Sequence, residues 1–427
     1  MSTPQRPSDH MTLPTTSNGH ADSGCNTDSN SAIPVPRGQC QPYPLPDTGI
    51  PSTQSAVITA EVGPRLDLQL KSIPVRKPEV GQAIVEILYT GICRSDVCFS
   101  IGPEPGYPRY NHITGHEGIG HVVYCHDPAL LGRPVAIRFL ASACESCTYC
   151  LRGLQTSCPH QMNTTKDING TFQRYATFPV SCLLPLPEGL IDEGTPVARY
   201  CAALCSGSAA LRALRDGQTQ AGDVLVVVGI AGGIGHLVGT IAKHVLGLKV
   251  IGVDRQWKVD SLTAEQADRM AHTFLPTPEE HNDSETNTSI FRSTLLESCM
   301  RLRGSIGVPR CAETVIVAAS EIGAFRHLED YVCDGGRIIC LGVPRGDNTL
   351  SIPLPALVER SLHVSGSLMG GRKEALEMLQ LIKSGQVEPL LTEISLSDVP
   401  DYMERLQKGM VSGKVVVCVS GGNLDKV

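Results

Sequence analysis

The segment that most restricts the fold of this chain is residues 224–235, VLVVVGIAGGIG, where an apolar run meets a glycine-rich turn. Five apolar residues predict a buried strand, and the glycines permit a tight turn in which backbone amides can approach a ligand. An apolar helix from about Gly233 follows, then a second strand at 249–253, and Asp254 ends that strand. This order predicts a dinucleotide-binding βαβ unit, with pyrophosphate at the helix N-terminus.

Asp254 bears on which dinucleotide this turn binds. A carboxylate at this position accepts hydrogen bonds from the adenosine ribose hydroxyls and repels a 2′-phosphate, which favours NAD over NADP. Arg255 follows immediately. A guanidinium there can partly accommodate the phosphate, so NADP stays open as the second choice.

The rest of the chain falls into segments of different character. Residues 1–52 are rich in Ser, Thr, Pro, Asn and Asp without strand or helix periodicity, which predicts a disordered N-terminal extension. From about Thr53, short β-branched runs separated by Gly and Pro predict an irregular β-rich domain. Beyond Cys205, strands and helices alternate, with strands expected at 314–318 and 337–341. This alternation predicts a parallel, doubly wound α/β sheet.

A final apolar run at residues 414–419 predicts a strand that returns to the β-rich domain. We therefore expect three parts in the chain. They are a disordered extension at 1–52, a β-rich domain formed by 53–204 together with 345–427, and a nucleotide-binding domain at 205–344.

Charge and cysteine content narrow the classes of function. The 36 basic and 43 acidic residues give a net charge of -7, which offers no cationic field for phosphates, so we expect no nucleic acid partner. The most apolar stretch is interrupted by glycines and a histidine, so we expect no membrane span. No secretory signal precedes the 17 cysteines. We therefore expect a cytoplasmic protein whose clustered cysteines bind metal.

Four cysteines lie close together in the sequence ACESCTYCLRGLQTSC. Tetrahedral zinc needs four converging thiolates, and cysteines three residues apart in a turn supply them at little cost in loop entropy. A closed four-sulfur site leaves no coordination position for a substrate. We therefore expect a structural zinc in a lobe at 144–158, with disulfides as the alternative. The expected ligands are Cys144, Cys147, Cys150 and Cys158.

Three further motifs carry a resemblance to a known family: TGICRSD at 90–96, TGHEGIGHVV at 114–123 and ALCSGSAALRAL at 203–214. At these places the chain resembles the zinc-dependent alcohol dehydrogenases of the medium-chain dehydrogenase/reductase superfamily, most closely the yeast-type branch. The likeness extends from about Thr53 to the C-terminus and includes the four-cysteine lobe. It implies a GroES-like catalytic domain joined to a Rossmann coenzyme domain. It also implies a homo-oligomer, with a tetramer favoured over a dimer.

The resemblance implies an open catalytic zinc site as well. Cys93, His116 and Cys205 stand where the family places three protein ligands, which leaves one exchangeable position for a reactant. Glu117 matches a glutamate behind the metal that can approach it as a transient ligand, and Asp96 matches the carboxylate that orients the ligand imidazole. Taken singly, each of the two cysteines and the histidine is more often a packing or loop residue. Only their joint occurrence favours a metal site.

Other matched positions concern the proton and the cofactor. Ser95 occupies the position of the hydroxyl that hydrogen-bonds the alcohol in the family. Cys98 stands where the family often has a relay histidine, so we expect the proton to reach water directly or through another group. Arg94 and Arg372 match positions that contact pyrophosphate. By the same resemblance, the phosphate turn is formed by Gly229, Gly232, Gly233 and Gly235.

We thus expect an enzyme that transfers hydride reversibly between an alcohol and NAD and holds two zinc ions per chain, one catalytic and one structural. Two alternatives stay open: an NADPH-dependent aldehyde reductase of the cinnamyl-alcohol type, and a catalytically impaired, zinc-stabilised nucleotide-binding protein. The expected substrate is a small-molecule alcohol or aldehyde. Ethanol is not assumed, because Tyr107 and Tyr110 lie in a loop that departs from the small-alcohol enzymes.

Overall fold

The computed structural model describes residues 49–102, 107–192, 194–278, 285–304, 310–346 and 348–421. Residues 1–48 of the expected N-terminal extension lie outside these ranges, and the first strand begins at Thr53. Among the described helices, none combines the length and the apolar character that crossing a bilayer requires.

The first half of the chain is built from short strands with few helices. Its strands are β1 (Thr53–Glu61), β2 (Leu68–Pro74), β3 (Gln82–Ile92), β4 (Tyr110–His112), β5 (Gly118–Cys125), β6 (Pro134–Ile137), β7 (Leu140–Ser142), β8 (Met162–Asn163), β9 (Tyr175–Pro179) and β10 (Leu184–Pro185). Its helices are α1 (Arg94–Ser100), α2 (Thr148–Leu151) and α3 (Ala198–Ala202).

In the second half, strands and helices alternate. The strands are β11 (Val224–Val228), β12 (Lys249–Asp254), β13 (Thr273–Pro276), β14 (Ala312–Val317), β15 (Val332–Cys340), β16 (His363–Gly366), β17 (Leu391–Ser395) and β18 (Lys414–Cys418). The helices are α4 (Ser208–Asp216), α5 (Gly235–His244), α6 (Gln256–Asp260), α7 (Ala264–Met270), α8 (Glu285–Arg303), α9 (Leu354–Glu359), α10 (Arg372–Lys383) and α11 (Val399–Gln407). A π-helical stretch, Ala203–Gly207, joins α3 to α4.

A parallel six-stranded sheet contains the glycine-rich turn. Its strand order is β13-β12-β11-β14-β15-β16, which is the order of a doubly wound nucleotide-binding sheet. The central strand β11 is apolar throughout, and each of its five residues is at most 2% exposed because helices cover both faces of a parallel sheet. This sheet confirms the predicted fold class.

The β-rich part is a seven-stranded sheet with order β10-β6-β5-β3-β18-β17, in which β9 also pairs with β3. Strand β18 comes from the end of the chain and runs antiparallel to β3, with Val416 opposite Gly91. The expected return of the last apolar run is therefore confirmed. Two smaller sheets, β2-β1-β4 and β7-β8, complete the strands.

The parallel sheet extends past the boundary expected at residue 344. Strand β16 pairs with β15, with Ile339 opposite Ser365, so the sheet continues to Gly366. The sequence of β16 is HVSG, and all four residues are exposed. An edge strand open to solvent needs no apolar run, so hydrophobic patterning alone missed it.

Candidate metal and cofactor sites

Four ligand atoms predicted to surround a catalytic metal converge in the structure. The ligand atoms of Cys93, His116, Glu117 and Cys205 all lie within 4.8 Å of one another. Cys93 immediately precedes α1, His116 and Glu117 precede β5, and Cys205 lies in the π-helical stretch. Two sulfurs, an imidazole and a carboxylate from three separate segments therefore meet at one point.

Asp96 sets the orientation of the imidazole. Its Oδ1 lies 2.9 Å from His116 Nδ1 and accepts the Gly115 amide at 2.9 Å, while Oδ2 accepts the Cys93 amide at 2.9 Å. Burial lowers the pKa of His116, but the charge of Asp96 and its hydrogen bond outweigh burial and bring the pKa well above the usual value. Asp96 thus connects two of the ligand segments. Because it contacts His116 through Nδ1, it leaves Nε2 of the same ring available to a metal.

The donor atoms fit a zinc ion. His116 Nε2 and Glu117 Oε2 are buried and have no hydrogen-bond partner among the described residues. A buried polar atom without a partner is costly, and a metal ion would satisfy both atoms. The Cys93 and Cys205 sulfurs lie within 4.8 Å of each other, and their interaction lowers the pKa of Cys93 and raises that of Cys205. Thiolate and imidazole are the ligand types that zinc prefers.

Lys414 is a further residue of this site that the sequence analysis missed. Its Nζ lies 2.5 Å from Glu117 Oε1 and 3.1 Å from Ser206 Oγ, and both members of the ion pair are buried. Burial raises the pKa of Glu117 to about 7, although the Lys414 ammonium opposes this shift. A lysine that opens the otherwise apolar strand KVVVC was the available signal, because buried lysines are rare without a partner.

Ser95 lies beside the metal ligands. Its Oγ is 3.3 Å from Cys93 Sγ, in the first turn of α1. Cys98, which stands where the resembling family often has a relay histidine, is half-buried in the same helix. The structure therefore brings the predicted hydroxyl to the metal cluster.

Three aromatic rings stack beside the residues of the candidate metal site. The Phe99 ring centroid lies 4.5 Å from that of Tyr107 and 5.6 Å from that of Phe139, and both pairs are nearly parallel. Phe139 also meets His116 edge-on at 5.4 Å. All three rings are partly exposed. They form a partly exposed aromatic stack next to the candidate metal site.

The four cysteines of the second predicted site also converge. Their sulfur atoms lie within 4.8 Å of one another, and none of the four forms a disulfide. Backbone amides point at two of the sulfurs: the amide of Cys147 lies 3.3 Å from Cys144 Sγ, and that of His160 lies 3.4 Å from Cys158 Sγ. Donation from backbone amides stabilises thiolates, so this lobe fits a closed four-sulfur zinc site.

The glycine-rich turn and Cys93 of the candidate metal site line one cleft. Gly229 has φ of +83°, a conformation that favours glycine, and a Cβ there would lie 2.8 Å from the Ala319 amide nitrogen. A Cβ on Gly235 would lie 2.0 Å from Gly229 O, so this glycine permits close packing of α5 on the turn. Six of the residues predicted to bind the cofactor or a metal line this cleft: Cys93, Arg94, Gly229, Gly232, Gly233 and Asp254.

Asp254 lies at the end of β12, where a ribose-binding acid was expected. Its Oδ2 accepts the Ala231 amide at 2.9 Å and its Oδ1 accepts the Arg255 amide at 2.8 Å, so the carboxylate is held in place by the turn.

Arg372 is not among the residues that line this cleft. It is exposed at the first position of α10. Its contact with pyrophosphate stays a prediction. The cations that line the cleft are Arg94, Arg255, Lys258 and Lys414.

Comparison with known proteins agrees with this architecture. Residues 79–188 match the family model described as the alcohol dehydrogenase GroES-like domain. An alcohol dehydrogenase of Geobacillus stearothermophilus is 29% identical over 82% of this chain and 95% of its own length. Alcohol dehydrogenase 2 of Emericella nidulans is 28% identical over 87% of this chain and 99% of its own length. Similar identity to bacterial, fungal and nematode enzymes does not single out one branch, so the yeast-type branch stays a prediction.

Solved structures show the same fold at lower identity. Acetophenone reductase from Geotrichum candidum, in complex with NAD, aligns with a TM-score of 0.67 and 22% identity over 88% of this chain and 99% of its own. The alcohol dehydrogenase of Aeropyrum pernix aligns with a TM-score of 0.70 and 21% identity over 85% of this chain and 99% of its own. A cinnamyl alcohol dehydrogenase of Sorghum bicolor gives 0.68 and 20%, over 88% and 100%.

Proposed function

We propose that this chain, an alcohol dehydrogenase-like oxidoreductase of the zinc-type medium-chain family, catalyses reversible hydride transfer between an alcohol and NAD. The family model, the relatives and the two cysteine-containing clusters support the family-level part of this statement. The reaction, the preference for NAD and the residue roles are the proposal.

One observation carries the proposal. Cys93 belongs to the cluster of metal-ligating atoms and also lines the cleft that contains the glycine-rich turn and Asp254. A metal held at Cys93 would therefore border the same cleft as the bound dinucleotide. Hydride transfer requires the metal site and the dinucleotide to be close together, because the donor carbon and the nicotinamide must approach within contact distance.

The roles of the side chains follow from their positions. Cys93, His116 and Cys205 would hold zinc, which when bound supplies the Lewis acidity that lowers the pKa of an alcohol oxygen. Ser95 Oγ would accept the hydrogen bond of the reactant hydroxyl and pass its proton to solvent, since Cys98 offers a poor relay near neutral pH. Asp96 positions His116, and Lys414 holds Glu117 at the rear of the site. Burial of these groups excludes bulk water from the reacting centre.

The stacked rings favour a bulky, flat substrate. Phe99, Tyr107 and Phe139 present an apolar surface beside His116, and burying a substrate ring against such a surface is worth more than burying a methyl group. The same rings favour the second candidate, an NADPH-dependent aldehyde reductase acting on aromatic aldehydes. Cofactor preference separates the two.

The proposal is tested by a panel of aliphatic, aromatic and terpenoid alcohols and aldehydes with NAD(H) and NADP(H). We expect two zinc ions per chain, alcohol-dependent formation of NADH, and a kcat/KM for benzylic alcohols roughly tenfold or more above that for ethanol. Turnover only with NADPH would support the reductase. Binding of NADH without turnover of any member would support the catalytically impaired binding protein.

We further propose that the chain forms a homo-oligomer through the edge of its parallel sheet. Strand β16 ends the sheet, and large apolar side chains nearby are exposed, among them Leu354, Val358, Val364 and Leu368. An apolar sheet edge is a surface that a second copy can cover. The family resemblance favours a tetramer over a dimer.

A Val364→Lys variant should shift the chain to smaller species, because it places a charge in this edge. Sedimentation velocity at micromolar concentration measures the change. Val80→Lys is the control, since Val80 is also exposed but lies between β2 and β3. An unchanged mass for Val364→Lys would place the interface elsewhere.

A further inference from the structure

Glu321 is a carboxylate on the wall of the cofactor cleft that two arginines share. Its Oε1 lies 3.8 Å from Arg255 Nη2 and 3.8 Å from Arg94 Nη1. All three residues line the cleft, and each side chain is one-third to one-half exposed. Glu321 therefore lies between two of the cations that line the cleft.

The backbone around this contact keeps the two charges together. Gly409 follows α11, and a Cβ built on it would lie 3.2 Å from Arg255 Nη1 and 3.4 Å from Glu321 Oε1. Arg94 Nη1 also donates to the Leu406 carbonyl at 3.2 Å, so the same segment holds the other arginine. Arg255 is thus tied to the loop after β14 as well as to its neighbour Asp254.

The charges beside Asp254 determine how strongly a 2′-phosphate would bind in the cleft. Arg255 and Lys258 are the cations nearest in sequence to the end of β12, and both line the cleft. Asp254 and Glu321 oppose them with two negative charges, and the interaction of both carboxylates with Lys258 counters the lowering of its pKa by burial. The two cations that follow β12 therefore face two carboxylates in the cleft.

We propose that Glu321 determines cofactor specificity: by pairing with Arg255 it withholds the one guanidinium that could accept a 2′-phosphate, and so makes the cleft select NAD over NADP. The inference rests on the proposed function, since it assumes that a dinucleotide binds in this cleft. Asp254 alone does not secure the selection, because the residue after it is an arginine. Glu321 adds the missing negative charge from the loop after β14.

The expected change in the ratio of cofactor affinities is small, because the charged side chains involved are partly exposed to solvent. A 2′-phosphate adds about -1.5 to -2 charge, which makes the discrimination electrostatic. Ion pairs between partly exposed groups are individually weak, so loss of one carboxylate should change the ratio of affinities by about three- to tenfold and not by orders of magnitude. The pyrophosphate is common to both cofactors, so release of Arg94 should act on both alike.

The test is a fluorescence titration of the zinc-loaded full chain with NADH and with NADPH. Glu321→Gln should lower the ratio of the NADPH Kd to the NADH Kd by about three- to tenfold, because any gain from the released Arg94 is common to both cofactors and cancels in the ratio. Adding Arg255→Gln to that variant should restore the ratio, because the released guanidinium would be gone. Glu388→Gln is the matched control: Glu388 is likewise shared by two arginines, Arg199 and Arg269, and does not line the cleft.

Each outcome bears on a separate claim. If both cofactors bind but Glu321→Gln leaves the ratio unchanged, the role of Glu321 is wrong while the proposed function stands. That role is equally wrong if Glu388→Gln gives an equal gain, since net charge alone would then explain it. If neither NADH nor NADPH binds the parent chain, the cofactor site itself is overturned and this inference falls with it.

Discussion

A Cys205→Ser variant of the zinc-loaded chain is expected to lose alcohol oxidation by about a thousandfold or more in kcat/KM. Cys205 supplies one of two sulfurs in the cluster with Cys93, His116 and Glu117, and a neutral hydroxyl is a far weaker zinc ligand than a thiolate. The Lewis acid that lowers the pKa of the alcohol would be lost with the metal. The zinc content, measured by metal analysis, should fall from two ions per chain to one.

Cys201→Ser is the matched control for this experiment. Cys201 is fully buried in α3, one turn before Cys205, but its sulfur is not part of the metal cluster. The same exchange of sulfur for oxygen should leave two zinc ions and activity within a few-fold of the parent chain. Retention of both zinc ions and of activity within tenfold by Cys205→Ser would refute the ligand assignment.

A Lys414→Met variant is expected to destabilise the fold by about 3 to 5 kcal/mol, because methionine fills the space but leaves a buried carboxylate without its cation. Lys414 Nζ is 2.5 Å from Glu117 Oε1, and the second oxygen of Glu117 already has no partner among the described residues. Thermal or denaturant unfolding of the zinc-loaded protein measures the loss. Binding of NADH should weaken as well, since Lys414 lines the cofactor cleft.

A double-mutant cycle separates loss of the ion pair from loss of packing. Adding Glu117→Gln to Lys414→Met removes the uncompensated charge, so the double variant should be more stable than Lys414→Met alone. If the two substitutions simply add, the ion pair contributes nothing and the packing of the lysine stem explains the effect.

The four-cysteine lobe and the glycine-rich turn were predictable because the residues that form each of them are close together in the sequence. The four cysteines of the lobe fall within fifteen consecutive residues, and the turn lies between a strand and a helix that follow each other directly. Chain connectivity alone brings such groups together, and steric limits on the backbone require glycine at a position such as Gly229. The alternation of apolar strands and helices likewise determined the class of sheet.

The ion pairs between residues far apart in the sequence could be found only in the tertiary structure. Lys414 reaches Glu117 only because β18 crosses the molecule to pair with β3, and Glu321 reaches Arg255 only because β12 and β14 flank β11.

By itself, the sequence indicated the four-cysteine lobe and the strand that carries the turn, because residue type, spacing and hydrophobic period act over a few residues. The ligands of the second metal site were expected only from a family resemblance. Only the folded chain decided which charges neutralise one another around those atoms. Such pairs join residues up to 297 positions apart, as for Lys414 and Glu117. Their distance is set by strand order and packing, which no local pattern encodes.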